Sequence, residues 1–159
     1  MSRRTNLKPV KQSEIEAALE FGQLDALFGY HLRRAQGAVH RDYLRAVDGL
    51  EMTQKQTAIL WLIHANPGVS QVAVATALGM DRATMMAMTD RLEERKLITR
   101  ERSSVDRRRQ ELKLTLAGQA MLVKLKARID KHERKLRALF SAAELEALLR
   151  SLRKLQQVD

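Results

Sequence analysis

Read for the spacing of its apolar positions, the chain is helical over most of its length. The pattern takes a helical period from Ser13. Glu14 and Glu16 stand in a first turn, where the helix dipole favours acids. Leu24, Leu27 and Phe28 then follow at i, i+3 and i+4, which places them on one face. The stripe runs on through Tyr30, Ala35, Val39, Tyr43, Leu44 and Val47 to Gly49, which predicts a long first helix with Gly29 and Gly37 as its weak points. Thr53 caps a second helix over 54–65, whose run Ala58-Ile59-Leu60-Trp61-Leu62-Ile63 is apolar all round and so is expected to be buried. Asn66-Pro67-Gly68 reads as a turn. Ser70 caps a third helix over 71–78, although Ala73 at the third position cannot complete a capping box. Leu78-Gly79 ends it, and Asp81 caps a fourth over 82–95 with Met85, Met88 and Leu92 on one face.

After Lys96 the period shortens to two. Residues 97–102 read as a strand, 103–107 as a turn and 110–114 as a returning strand. Thr115 caps a fifth helix running through Met121, Leu122, Leu125, Ile129, Leu136 and Leu139, and Ser141 caps a sixth with Leu145, Leu148, Leu149, Leu152 and Leu155 in one stripe. The expected fold is therefore mainly α, six helices with a small β-hairpin wing. Two short helices joined by Leu78-Gly79-Met80-Asp81 and followed by a hairpin form a winged helix-turn-helix pattern. Its core would hold Val72, Ala75, Leu78, Met85, Met88, Leu92 and Leu97, leaving Arg82, Ala83, Thr84, Met86, Ala87, Asp90 and Arg91 outward.

Charge gives that pattern a use. The 159 residues carry a formal net charge of +10, concentrated in residues 1–11, in 124–137 and in Arg107-Arg108-Arg109. An excess of this size suits a polyanion such as nucleic acid. With no Cys, disulfides, thiol catalysis and a thiol switch are excluded. No apolar run approaches the ~20 residues of a membrane span and no signal peptide is visible, so a cytoplasmic protein without membrane contact is expected. His31, His40, His64 and His132 lack metal-ligand spacing, and there is no nucleophile–base pair or Gly-rich phosphate loop. No metal, cofactor or enzyme activity is expected.

The second helix of the pair can enter a major groove with its N-terminal residues foremost. Arg82 can reach a phosphate or guanine, Thr84 can hydrogen-bond a base or phosphate, and Met86 and Ala87 offer apolar contact to a thymine methyl. At the hairpin turn, Asp106 can brace Arg108 so that the guanidinium extends into a narrow minor groove, with Arg107 and Arg109 toward phosphates. The candidate DNA contacts are thus Ser70, Gln71, Arg82, Ala83, Thr84, Met86, Ala87, Arg91, Asp106, Arg107, Arg108 and Arg109. A sequence-tolerant architectural DNA binder without a small ligand is the rival reading. It would use the apolar recognition helix and basic arm, and it predicts a steep salt dependence on any DNA.

Six segments in order carry a family resemblance: Asn66-Pro67-Gly68-Val69-Ser70-Gln71, Ala77-Leu78-Gly79-Met80-Asp81-Arg82, Asp90-Arg91-Leu92-Glu93-Glu94-Arg95, Leu97-Ile98, Asp106-Arg107-Arg108 and Leu114-Thr115-Leu116-Ala117-Gly118. Over about 50–122 the chain resembles the multiple-antibiotic-resistance regulator (MarR) family of bacterial transcription factors. The resemblance implies a winged-helix homodimer of the obligate type on a pseudo-palindromic operator. It divides the chain into a basic arm (1–12), dimerisation helices (13–50 and 116–159) and a DNA-binding lobe (51–115). It also implies a repressor released by a small aromatic acid or phenol. The positions of Ala83, Met86 and Ala87 are often polar in the family, so base readout here would be more apolar.

In the family the ligand lies where the DNA-binding lobe meets the dimer helices, which makes Tyr30, Arg33, Arg34, His40, Tyr43, Trp61 and His64 candidates. Two adjacent cations favour an anionic ligand. The stretch Leu32-Arg33-Arg34-Ala35-Gln36 is similar to that of members controlling hydroxycinnamate catabolism, which adds aryl-CoA thioesters to the expected ligands.

Overall fold

The computed structural model describes residues 19–102 and 110–158. These contain a 3-10 turn (Gly22–Ala26), six α-helices and three short strands. We label them α1 (Phe28–Ala46), α2 (Gln54–Ala65), β1 (Val69–Ser70), α3 (Gln71–Ala77), α4 (Arg82–Glu94), β2 (Ile98–Arg102), β3 (Gln110–Leu114), α5 (Leu116–Arg137) and α6 (Ala142–Leu155). The chain forms two compact units, the first ending at Val39 and the second running from His40.

Local chemistry sets most helix starts. Thr53, Ser70, Asp81, Thr115 and Ser141 each accept a backbone N–H with the side-chain oxygen, as N-caps do. Thr53 and Ser141 complete capping boxes with Gln56 and Glu144. At the far end of α4, Lys96 takes a left-handed conformation (φ 57°). Its N–H donates to Glu93 and that of Leu97 to Leu92. This Schellman closure turns the chain directly into β2.

The single long first helix is corrected in its start: α1 begins at Phe28 after the 3-10 turn, and passes through both Gly29 and Gly37 without a break. The hairpin is also larger than expected. Val69 and Ser70 pair with Leu112 and Glu111, giving an antiparallel sheet of order β1-β3-β2. A two-residue strand leaves no alternation to read. Two burial assignments change. Val72, expected in the core, is 68% exposed, while Val74 is buried. The inward face of α3 runs through Gln71, Val74, Ala75 and Leu78, and Val72 lies about 200° round the helix from Val74 at 3.6 residues per turn. α2 is buried on most sides, but Trp61 and His64 are exposed.

The core of the second unit is one cluster around Ile59, Leu60 and Ile63 of α2, met by Val74, Met85, Leu92, Leu112, Leu122 and Leu125. Gly118 lets α5 approach closely, its position abutting the Leu97 carbonyl oxygen. At the edge of this core Asp42 receives hydrogen bonds from Lys135 (2.6 Å), Arg45 (2.8 Å) and the buried His132 (2.9 Å). The Lys135, Arg45 and His132 bonds, in that order, hold the Asp42 carboxyl well below the usual carboxylate range. A lowered pKa in the folded state gives stability that is present above the unfolded value of about 4 and is lost as pH falls toward the folded value. Asp42→Asn is therefore expected to lower the urea midpoint at pH 7 and to narrow the difference between midpoints at pH 7 and pH 3. An unchanged pH dependence would contradict this role for the cluster.

Candidate nucleic-acid interface

Helices α3 and α4 are joined through Gly79, whose left-handed conformation (φ 58°) lets the chain turn within four residues. Asp81 fixes the start of α4 with both carboxylate oxygens. One accepts the Thr84 N–H at 2.8 Å and the other the Thr84 hydroxyl at 2.6 Å. The hydroxyl bond first, and the N–H second, lower the Asp81 pKa, so the cap stays ionised. It also commits the Thr84 proton to Asp81, leaving acceptor capacity on a hydroxyl expected to hydrogen-bond a base or phosphate.

Five of the expected contacts lie on one exposed face of α4: Arg82, Ala83, Met86, Ala87 and Arg91. Their spacing (i, i+1, i+4, i+5, i+9) follows the helical repeat. Met85 faces the core and Met88 is half-buried, as expected, while Met86 is 53% exposed. Ser70 and Gln71 are half-buried at the start of α3, with the Ser70 hydroxyl accepting the Ala73 N–H. Between α3, α4 and the sheet opens a cleft of about 1030 Å³, lined among others by Gln71, Val72, Thr76, Arg82, Met86 and Gln110. Asp106, Arg107, Arg108 and Arg109 lie outside the described residues.

Arg100 escaped the sequence reading. Its guanidinium, on β2, donates to Asp90 and to the Thr89 hydroxyl (2.7 Å) and lies 3.4 Å from Glu93. Thr89 is fully buried. One side chain thereby fastens the wing strand to the recognition helix. A signal existed: Arg100 shares a strand face with buried Ile98, and Asp90 and Glu93 are one helical turn apart. Arg95 is a second such tie, donating to the carbonyls of Leu50 and Glu51 in the α1–α2 connection.

The ligand candidates divide between the two units. In the first, Arg34 lies over the rings of Phe21 and Tyr30 (6.0 and 5.6 Å) and donates to the Tyr30 hydroxyl, while Arg33 is exposed. In the second, Trp61 carries the Lys126 ammonium 5.3 Å from its ring centroid, and His64 is exposed. His40 shares a hydrogen bond with Gln54. Tyr43 belongs to the core, its hydroxyl 2.6 Å from that of Thr57, and burial raises its pKa more than this bond lowers it. Among the described residues no three His, Asp or Glu could hold a metal ion, and no helix is long and apolar enough to cross a membrane.

Comparison with known proteins matches residues 52–109 to the MarR family model. A curated relative from Thauera aromatica, described as a putative transcriptional regulatory protein for the hcr operon, is 34% identical over 90% of this chain and 87% of its own. The structure of a transcriptional repressor, CouR, bound to a 23-mer DNA duplex is similar with a TM-score of 0.82 and 40% identity over 87% of this chain and 99% of that one. A structure of CouR bound to p-coumaroyl-CoA is similar with a TM-score of 0.81 and 38% identity over 89% and 99%.

Proposed function

The chain belongs to the MarR family of winged-helix transcriptional regulators, DNA-binding proteins rather than enzymes, and from that premise we propose that it is a dimeric repressor released by a small anionic aromatic ligand or its CoA thioester, of the hydroxycinnamate type. The observation that carries the reading is the exposed face of α4. It is capped by an ionised Asp81 and opens on a cleft beside the wing, in a chain 40% identical to a repressor whose structure holds DNA. Arg82 and Arg91 supply cations to that face; from the sequence, Arg108 braced by Asp106 is expected in the minor groove, with Arg107 and Arg109 toward phosphates.

The dimer is supported by what a single chain leaves uncovered. Leu148 and Leu149 on α6, and Leu139 and Phe140 before it, are exposed. A two-fold dimer presents two copies of α4, so the operator is expected to be a pseudo-palindrome with half-sites about one turn apart. For the ligand, the support is the similar repressor bound to p-coumaroyl-CoA together with Arg33 and Arg34. Release needs a ligand that binds the DNA-free state more tightly, since equal affinity for both states shifts nothing.

Fluorescence anisotropy tests the reading. A duplex from the region upstream of the coding sequence and a scrambled duplex of equal length are compared at about 0.15 M salt. A preference of about a thousandfold or more is expected for a specific binder, and p-coumaroyl-CoA should weaken the specific complex. Equal binding to both duplexes would favour a sequence-tolerant DNA binder. An unchanged complex in saturating p-coumaroyl-CoA would reject that thioester as the inducer.

A further inference from the structure

Resting on the DNA-binding reading, we propose that the recognition surface reads thymine C5-methyl groups through an apolar pair, Val72 on α3 and Met86 on α4. Val72 is 68% exposed and Met86 53% exposed, and both line the open cleft at the foot of the two helices. Ala83 and Ala87 continue the same apolar surface along α4. A single exposed apolar side chain means little. Here two from different helices border one cleft, on the face that also carries Arg82.

The polar inventory of this surface narrows what it can read. The Thr84 proton is held by Asp81, and the cleft offers Gln71, Arg82 and Gln110 as its long polar groups apart from Arg100, which is engaged with Asp90 and Thr89. The major groove presents donors and acceptors on every base, but only thymine adds an apolar group, its C5-methyl. Arg82 in the lining matches a phosphate, and the apolar pair matches the methyl. The same methyl on 5-methylcytosine would be accepted at the same position, which makes the contact sensitive to cytosine methylation.

The test begins with duplexes selected by the full-length protein from a random-sequence pool, so that no operator need be known. Each thymine of the selected site is then replaced by deoxyuridine, which removes only the methyl. At one or two positions per half-site, the affinity is expected to fall by about fourfold or more, the change that burying one methyl-sized group gives. At those positions V72A or M86A should bind the thymine and deoxyuridine duplexes equally. Both side chains are exposed, so truncation leaves the core intact, and an unchanged urea midpoint verifies this. The proposal is overturned if no replacement changes affinity by twofold, or if the loss persists undiminished in both variants, which would mean that the methyl acts through groove shape. A selection without any consensus would overturn the operator-specific reading together with the methyl contact, whereas a clear consensus indifferent to deoxyuridine overturns the methyl contact alone.

Discussion

Gly118→Ala should destabilise the protein by about 2–4 kcal/mol, although alanine is the better helix former. A Cβ at this position would stand 1.9 Å from the Leu97 carbonyl oxygen and 2.9 Å from its carbon. Both neighbours are backbone, so no flexible side chain can yield. The Leu97 carbonyl also accepts the Thr115 N–H, and Thr115 caps α5 while its hydroxyl donates to the Lys96 carbonyl. The segment is thus held from both sides, and relief requires α5 to move away from the junction of α4 and β2. Helix propensity favours Ala by roughly 1 kcal/mol. Overpacking of a tight site costs typically 1–3 kcal/mol and occasionally more, and an overlap against fixed backbone belongs at the upper end. Urea unfolding decides between the two effects. Gly29→Ala serves as the control, because nothing lies within 4 Å of a Cβ there, and it should be neutral to mildly stabilising. A Gly118→Ala protein as stable as the parent would show that α5 slides on Leu97 without cost.

The elements that the sequence announces best are those whose signals lie within a few residues. α2 spans the expected 54–65, and the residues expected to cap five helices all do so. A cap needs only its own oxygen and an amide two or three residues on. Wherever tertiary partners decide, the reading weakens. Val72 and Val74 are both acceptable core residues on a seven-residue helix, and only packing against α2 and α4 selects Val74. Tyr43 is a ligand candidate whose place in the core, with its hydroxyl hydrogen-bonded to Thr57 fourteen residues away, no local pattern announces. β1 exists because β3 returns to it, so two residues alone cannot predict it. On the candidate DNA face, helical spacing places Arg82 and Arg91 outward without further information, whereas Met86, between Met85 and Met88, suits core or surface equally until packing exposes it. Which long side chain locks the wing to that helix depends on a contact ten residues apart in sequence, between Arg100 and Asp90.

Arg100→Met is expected to weaken DNA binding by about ten- to a hundredfold while the protein stays folded. The guanidinium joins β2 to α4 through Thr89, Asp90 and Glu93. Asp90 and Glu93 remain roughly half exposed, so water covers much of the lost pairing and the stability loss should stay near 1 kcal/mol. The larger consequence is geometric. Without the tie, the wing and the recognition helix no longer hold one spacing in the free protein, and restoring that spacing on DNA costs free energy while the same phosphates are met. Two carboxylates are also left without their cation on the helix that approaches phosphates, which adds repulsion. Arg100→Lys keeps the charge but replaces a planar, multi-donor fork with a single ammonium, and should recover only part of the affinity. The salt dependence separates this positioning role from a direct phosphate contact. Removing a cation that neutralises a phosphate lowers the slope of log K against log salt by about 1. A positioning residue should leave that slope close to the parent value at lower affinity throughout. A slope reduced by a full unit in Arg100→Met would instead place the guanidinium on the DNA backbone.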